Sequence, residues 1–212
     1  MNVFLVGATG GTGKIVLQKL VAVNHRVSVL ARNPDSVDIP ANPGKVKIIK
    51  GSVYTPEVYQ DELAKCDLVI SALGTGTARG KTDIYSRGGQ CIIEAMKKAG
   101  IKKLITLTPS ALDPTAPQYN HFIVRFIVRP LFKNIYADMQ QWESIQEANR
   151  DIDWICIRPS RLTNGKEKGQ YRIAINYSPK GGWQISREDL ADFILTQVNS
   201  DQYIHQKPAI AW

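Results

Sequence analysis

Long apolar runs are what this sequence lacks most plainly. No uninterrupted apolar stretch in its 212 residues approaches the roughly 18 that a membrane helix needs, so neither a span nor a membrane partner is expected. Cysteine is scarce. Cys66, Cys91 and Cys156 are odd in number, far apart and set in apolar patterns, which suits reduced core thiols of a cytoplasmic protein rather than a disulfide framework. Histidine is no richer: His25, His121 and His205 show no ligand spacing, and no metal site is expected. The first apolar stretch runs straight into a glycine-rich turn, which is not the layout of a secretory signal. Acid is in deficit, with 27 Lys and Arg against 19 Asp and Glu for a formal charge of +8. Such a balance serves nucleic acid, an anionic surface, a polyanionic small ligand, or solubility alone. The basic residues are spread along the chain, and the only tight pairs, Lys97-Lys98 and Lys102-Lys103, fall at a predicted helix end where cations complement the dipole. An anionic cofactor and substrate are therefore favoured over nucleic acid.

What is present, at the very start, is Gly7-Ala8-Thr9-Gly10-Gly11-Thr12-Gly13, set between the apolar Val3-Phe4-Leu5-Val6 and a helical pattern over residues 14–21. A glycine-rich turn joining a buried strand to a helix start suits a pyrophosphate. Bare N–H groups and the helix dipole face an anion there, and side chains would block its approach. Gly7, Thr9, Gly10, Gly11, Thr12 and Gly13 are thus expected to hold a dinucleotide.

Farther along, strand-like runs alternate with helical patterns, the signal for βαβ units and a parallel sheet. Strands are expected at Asn2–Val6, Arg26–Ala31, Val46–Lys50, 68–72, Lys103–Leu107 and 154–158, most of them near-continuous Val, Ile and Leu runs. Helices are expected at 56–65, 82–99 and 134–149, the last with a core stripe of Ile135, Met139, Trp142 and Ile145. Residues 170–177 then read as a strand, Lys180-Gly181-Gly182 as a turn and 183–185 as a return strand. Ser186 caps a final helix, with Asp189 three residues on and Leu190, Ile194 and Val198 toward the core. The fold class that follows is α/β: a doubly wound, Rossmann-type parallel sheet with helices on both faces and a small C-terminal substrate-side extension. Residues 1–212 fit one NAD(P)-binding domain, with 112–133 and 162–186 as its substrate-side elements.

Residues 122–132 break the rhythm. They are apolar on most of their surface, and Arg125 and Arg129, one helical turn apart, repel unless an anion lies between them. Two readings stay open: a packed helix with two snorkelling arginines, or an apolar lid or oligomer contact beside the substrate site.

The end of the second strand meets the adenosine ribose in dinucleotide folds: an acid there bonds the 2′-hydroxyl of NAD, an arginine the 2′-phosphate of NADP. Here Arg32-Asn33 stands at that place and no carboxylate does, so NADP(H) is the expected cofactor, unless Arg32 is only a solvated strand-end charge. The other strand ends supply further candidates. Gly51, Ser52 and Val53 would border the adenine; Ala72, Leu73, Gly74 and Thr75 would pass under the pyrophosphate and nicotinamide ribose; Thr108, Pro109, Pro159, Ser160 and Leu162 would flank the nicotinamide.

Segments 7–13, 29–32, 71–75, 108–111, 136–139, 158–163 and 185–193 together resemble the NAD(P)H-binding atypical short-chain dehydrogenases/reductases, within them the biliverdin-IXβ reductase and flavin reductase branch. The likeness spans nearly the whole chain. It implies an NADPH-dependent oxidoreductase that passes hydride to flavins such as FMN or riboflavin, or to linear tetrapyrroles. Ser52 stands where the family reductase has an aspartate near the adenine, the 122–132 segment is additional, and Arg161 replaces a histidine. Arg161 suits a substrate carboxylate or phosphate. The usual Tyr-x-x-x-Lys pair of short-chain dehydrogenases is broken, since Gln140 occupies the lysine position after Tyr136; a neutral amide cannot lower the phenol's pKa by charge. Ser110 is the candidate for orienting the nicotinamide amide or the acceptor, if it does more than cap the next turn, and with Arg161 completes the expected catalytic pair. The expected partner is a small anionic flavin- or tetrapyrrole-like molecule, met by a monomer or weak homo-oligomer. A regulator that senses NADP(H) without chemistry is the alternative; sugar-nucleotide or isoflavonoid-type enzymes are disfavoured by the missing lysine.

Overall fold

The computed structural model describes residues 1–76, 78, 80–112, 122 and 124–212. The part of the expected 112–133 element at 113–121 and 123, with His121, lies outside them. Eight strands form one sheet in the order β3-β2-β1-β4-β5-β6-β10-β8. These are β1 (Asn2–Val6), β2 (Arg26–Ala31), β3 (Val46–Lys50), β4 (Leu68–Ser71), β5 (Lys103–Leu107), β6 (Asp153–Pro159), β8 (Arg172–Ile175) and β10 (Pro208–Ala211). All neighbours run parallel except β8 against β10. A two-stranded parallel ribbon joins β7 (Arg161–Thr163) to β9 (Gln184–Ser186).

Alternation along β1 explains the layers. Val3 and Leu5 pack on one face with α1 (Gly11–Ala22) and α6 (Arg187–Val198), through Val16, Leu17, Leu20, Leu190 and Ile194. Phe4 and Val6 pack on the other with α2 (Pro56–Leu63), α3 (Ser86–Ala99) and α5 (Lys133–Ala148), through Tyr59, Leu63, Ile92, Met96 and Trp142. A strand buried on both faces needs apolar residues at every position, which is what the continuous runs supply. The strand order reverses between β1 and β4, and a crevice opens there at the carboxyl edge.

Four expectations are corrected. Residues 170–177 and 183–185 do not form a hairpin. β8 pairs antiparallel with β10 instead, and β9 pairs parallel with β7. The chain between β8 and β9 is drawn inward by its own bonds, with Arg158 donating to Asn176 O at 2.8 Å and Ser178 reaching Ser110. The helix expected from residue 82 starts at Ser86, because the Asp138 carboxylate of α5 accepts from the Tyr85 and Ser86 amides and caps it from outside. Lys102-Lys103 lie at the start of β5, not at a helix end, and Lys103 pairs with Asp201 and the Ser200 carbonyl. Cys91 is only half-buried, unlike Cys66 and Cys156, although all three thiols are free. No helix among the described residues is long and apolar enough to cross a membrane.

The irregular segment is helical in two pieces, a π-helical turn at Val124–Val128 followed by α4 (Arg129–Leu131). Phe126, Ile127 and Leu131 are exposed, as is Phe122. Val124, Val128 and the following Phe132 turn inward to the crevice. Arg129 reaches back to the backbone and to a ring: its Nη1 donates to Ala111 O at 3.0 Å, and its guanidinium lies over the Tyr136 ring.

Candidate functional site

The crevice is a cavity of about 910 Å³ along the carboxyl ends of β1, β4, β5 and β6. One end is almost entirely backbone. After β1 the chain turns at Gly7 with φ +85°, where a Cβ would stand 2.2 Å from Ala72 O; at Gly13 a Cβ would stand 2.1 Å from Gly7 O. No side chain fits at either position. The turn closes through Gly10 N donating to Gly7 O at 3.0 Å, and α1 follows with Gly10 as an N-cap that offers no side-chain bond. The first N–H groups of α1 therefore lack partners within the helix, and its first turn carries no acid. An anion with a bare flank fits this cradle, as a dinucleotide diphosphate has.

Gly10, Gly11, Thr12 and Gly13 line the cavity; so do Ala72, Leu73, Gly74 and Thr75 after β4, Thr108, Pro109 and Ser110 after β5, and Pro159, Ser160, Arg161 and Leu162 after β6. The structure brings these expected residues together from four strand ends. Gly7, Thr9, Arg32, Asn33, Gly51, Ser52 and Val53 stand outside the cavity wall, at the ends of β1, β2 and β3. Arg32 is exposed there. Asn33 donates to Ser36 Oγ at 2.9 Å, and the buried Val53 is tucked under α3 beside Gly88, so its side chain faces the core rather than a ligand.

The other end is made of side chains. Leu107, Val124, Val128, Phe132, Ile135, Tyr136, Met139, Leu162 and Trp183 give it an apolar wall. Within it three hydroxyls lie in a row: Ser178 Oγ is 2.8 Å from Ser110 Oγ and 2.6 Å from Ser160 Oγ, and Ser160 also reaches Gly182 O at 3.2 Å. Arg161, exposed at the rim, donates to the neutral Gln184 Oε1 at 2.6 Å and forms no ion pair among the described residues. Burial pushes the Tyr136 phenol above its ordinary pKa, and Arg129 offsets this only in part. Gln140, in the place of the missing lysine, donates to Leu112 O at 3.2 Å.

Below the floor sits a buried ion cluster. Glu143 accepts from Arg158 Nε at 3.1 Å and Nη2 at 2.5 Å, from Lys207 Nζ at 2.9 Å and from Thr108 Oγ1 at 2.6 Å. Burial raises the Glu143 pKa, but the Arg158 bonds and charge, with Lys207 and Thr108, outweigh it and hold the carboxyl below its ordinary value. Since Thr108 lines the cavity and Arg158 holds Asn176, this cluster fixes both ends of the Ser110–Ser178 contact.

Among the wall residues that the sequence reading did not single out are Ser178 and Arg187. Ser178 lies in a segment whose path depends on the buried Arg158, so no local signal marks it. Arg187 did carry one: a cation at the first position of a helix is electrostatically misplaced unless something recruits it there.

A family model described as NAD(P)H-binding matches residues 7–201. The chain is 28% identical over 228 aligned residues to the UPF0659 protein C216.03 of Schizosaccharomyces pombe, spanning 97% of this chain and 87% of that one. Among solved structures it is similar to ChuY, an anaerobillin reductase from Escherichia coli O157:H7, with a TM-score of 0.80, 19% identity and coverage of 100% and 97%. It is also similar to a wide-type short-chain dehydrogenase/reductase of Veillonella parvula in complex with NADP, with a TM-score of 0.80, 14% identity and coverage of 100% and 94%. At those identities the two structures establish a shared fold.

Proposed function

The chain belongs to the NAD(P)H-binding family, and from that premise we propose that it is an NADPH-dependent reductase of a conjugated, anionic small molecule, of the flavin or linear tetrapyrrole kind. The observation that carries this reading is what the cavity holds in place of acid-base machinery: an apolar wall, a row of hydroxyls, and a Tyr136 phenol pushed up by burial with Gln140 bonded to backbone. A carbonyl–alcohol interconversion needs a proton exchanged at one oxygen, and a phenol with a raised pKa and no lysine is poorly suited to it. A conjugated acceptor asks less, because its π-system spreads the incoming charge and water supplies the proton.

When bound, the reduced nicotinamide supplies a hydride, two electrons with one hydrogen, to the acceptor, which then takes a proton from solvent. The protein's own share is placement. Gly10–Gly13 amides would hold the diphosphate, Arg32 would select the 2′-phosphate, and Leu73–Thr75 would border the ribose. Val124, Val128 and Phe132 from one expected substrate-side element, and Leu162, Ser178 and Trp183 from the other, wall the acceptor. Ser110, braced by Ser178, orients a polar edge of the acceptor or the nicotinamide amide, and Arg161 holds an acidic substituent at the rim. Such alignment is worth up to about 7–11 kcal/mol of barrier when the reacting atoms are held in near-attack geometry.

The test is to mix protein, NADPH and FMN and follow the near-ultraviolet absorbance of reduced nicotinamide. Sustained consumption above the uncatalysed rate is expected, with biliverdin as the second acceptor. Tight NADPH binding without consumption of either acceptor would overturn the enzyme reading in favour of a sensor.

A further inference from the structure

Arg187 opens α6, where the unpaired N–H groups of a helix start disfavour a cation. It is held there firmly. The Ser186 hydroxyl accepts from the Asp189 amide at 3.0 Å, and the Asp189 carboxylate accepts from the Ser186 hydroxyl, the Gly169 amide and the Trp212 indole, each within 2.9 Å. From this anchored start the side chain crosses to the neighbouring helix. A Cβ on Gly11 would lie 2.9 Å from Arg187 Nε and 3.2 Å from its Cδ, so the arginine rests directly on the first residue of α1.

Charge makes the placement informative. Arg187 Nη1 donates to the neutral Asn164 Oδ1 at 2.5 Å, and among the described residues no carboxylate forms an ion pair with it. The acids of its own first turn are engaged elsewhere, Glu188 with Lys19 and Asp189 in the cap. The guanidinium thus adds its full charge to the partial positive charge of the α1 start, which has no acid in its first turn. Positive charge gathered in this way is costly until an anion arrives, and both groups line the same cavity.

We propose that Arg187 grips the diphosphate of the bound dinucleotide together with the α1 amides, and that through Asn164 it makes the order of the β7 wall depend on the cofactor. The inference rests on dinucleotide binding and not on which acceptor is reduced. Arg187 reaches the cofactor from the start of α6, directly after β9, and bonds Asn164 directly after β7, so one residue joins the two halves of the cavity.

Calorimetric titration with NADP⁺ and NAD⁺ tests it without turnover. Arg187→Met, which keeps the length and loses the charge, should weaken both nucleotides by the same factor, about 10- to 100-fold for charge-assisted hydrogen bonds. Arg32→Glu should weaken NADP⁺ selectively, so the two variants separate the diphosphate from the 2′-phosphate. Arg187→Lys keeps the charge but not the planar fork, and a parallel loss of about two- to fivefold is expected. It carries the test should the methionine variant not fold. In the wild type, saturating NADP⁺ should slow hydrogen exchange at the β7 amides, and in Arg187→Met it should not. Unchanged affinities in a folded variant, a loss confined to NADP⁺, or β7 protection that persists without the arginine would each overturn the proposal. A wild-type protein that binds neither nucleotide would instead bring down the cofactor assignment, a distinct result.

Discussion

The two ends of the cavity follow opposite rules. At the β1–β4 end, shape comes from backbone: Gly7 and Gly13 leave no space for a side chain, and the binding groups are amides. At the β5–β6 end, shape comes from side chains of widely separated segments, gathered by the buried Glu143 cluster and by Ser110 and Ser178. The backbone end has no room for a side chain at Gly7 or Gly13. The side-chain end can be re-lined residue by residue without disturbing the glycine turn.

The sharpest way to break this contrast is Gly13→Ala, whose Cβ would collide with Gly7 O at 2.1 Å. Loss of dinucleotide binding in calorimetry and a destabilisation exceeding about 4 kcal/mol in denaturant titration are expected. A variant that folds and binds normally would show that the turn has slack the contrast denies it.

Next in size is Glu143→Gln, which leaves Arg158 buried against a neutral amide and should cost about 3–5 kcal/mol. Its pH signature follows from the direction of the Glu143 shift. Because the folded-state pKa lies below the ordinary 4.5, the contribution is complete above that value and disappears as pH falls through the folded-state pKa. Melting temperature measured from neutral to acidic pH should therefore fall less steeply in Glu143→Gln than in the wild type. Equal slopes would place acid sensitivity elsewhere.

The smallest effects should come from the helical segment after residue 122, where one face lines the cavity and the other meets water. Phe126→Ser, at a residue 59% exposed, should change stability by no more than about 0.5 kcal/mol and leave acceptor kinetics alone. Val128→Ser, on the cavity wall, should raise KM for the acceptor while the NADPH affinity holds. Identical kinetics for the two would mean that this segment does not touch the substrate.

The same contrast decides what could be read from the sequence. The cradle was legible because its chemistry is local: a strand, a glycine turn and a helix follow one another within 22 residues, and the sheet strands announce themselves by continuous apolar runs. Four of the six expected strands, such as Arg26–Ala31, match the observed bounds. What failed depended on partners far along the chain. The start of α3 is set by Asp138, 52 and 53 positions away, and no local pattern reports such a cap. The expected hairpin after β6 failed because β8 found β10 and β9 found β7, pairings chosen by the buried Arg158 and the chain's last strand rather than by the Lys180-Gly181-Gly182 turn. Ser178 was missed for the same reason. Arg187 was visible in the residues, yet only the structure shows that its odd position sets it against Gly11.

Lys19 draws these threads to one point. Near the far end of α1 it pairs with Glu167, Glu188 and Asp192 at 2.9, 3.5 and 2.7 Å, which bolts α1 to α6 about two turns away from the cavity. The seat that sets Arg187 against the glycine turn is therefore braced from behind, by four charged residues that take no part in the cavity wall.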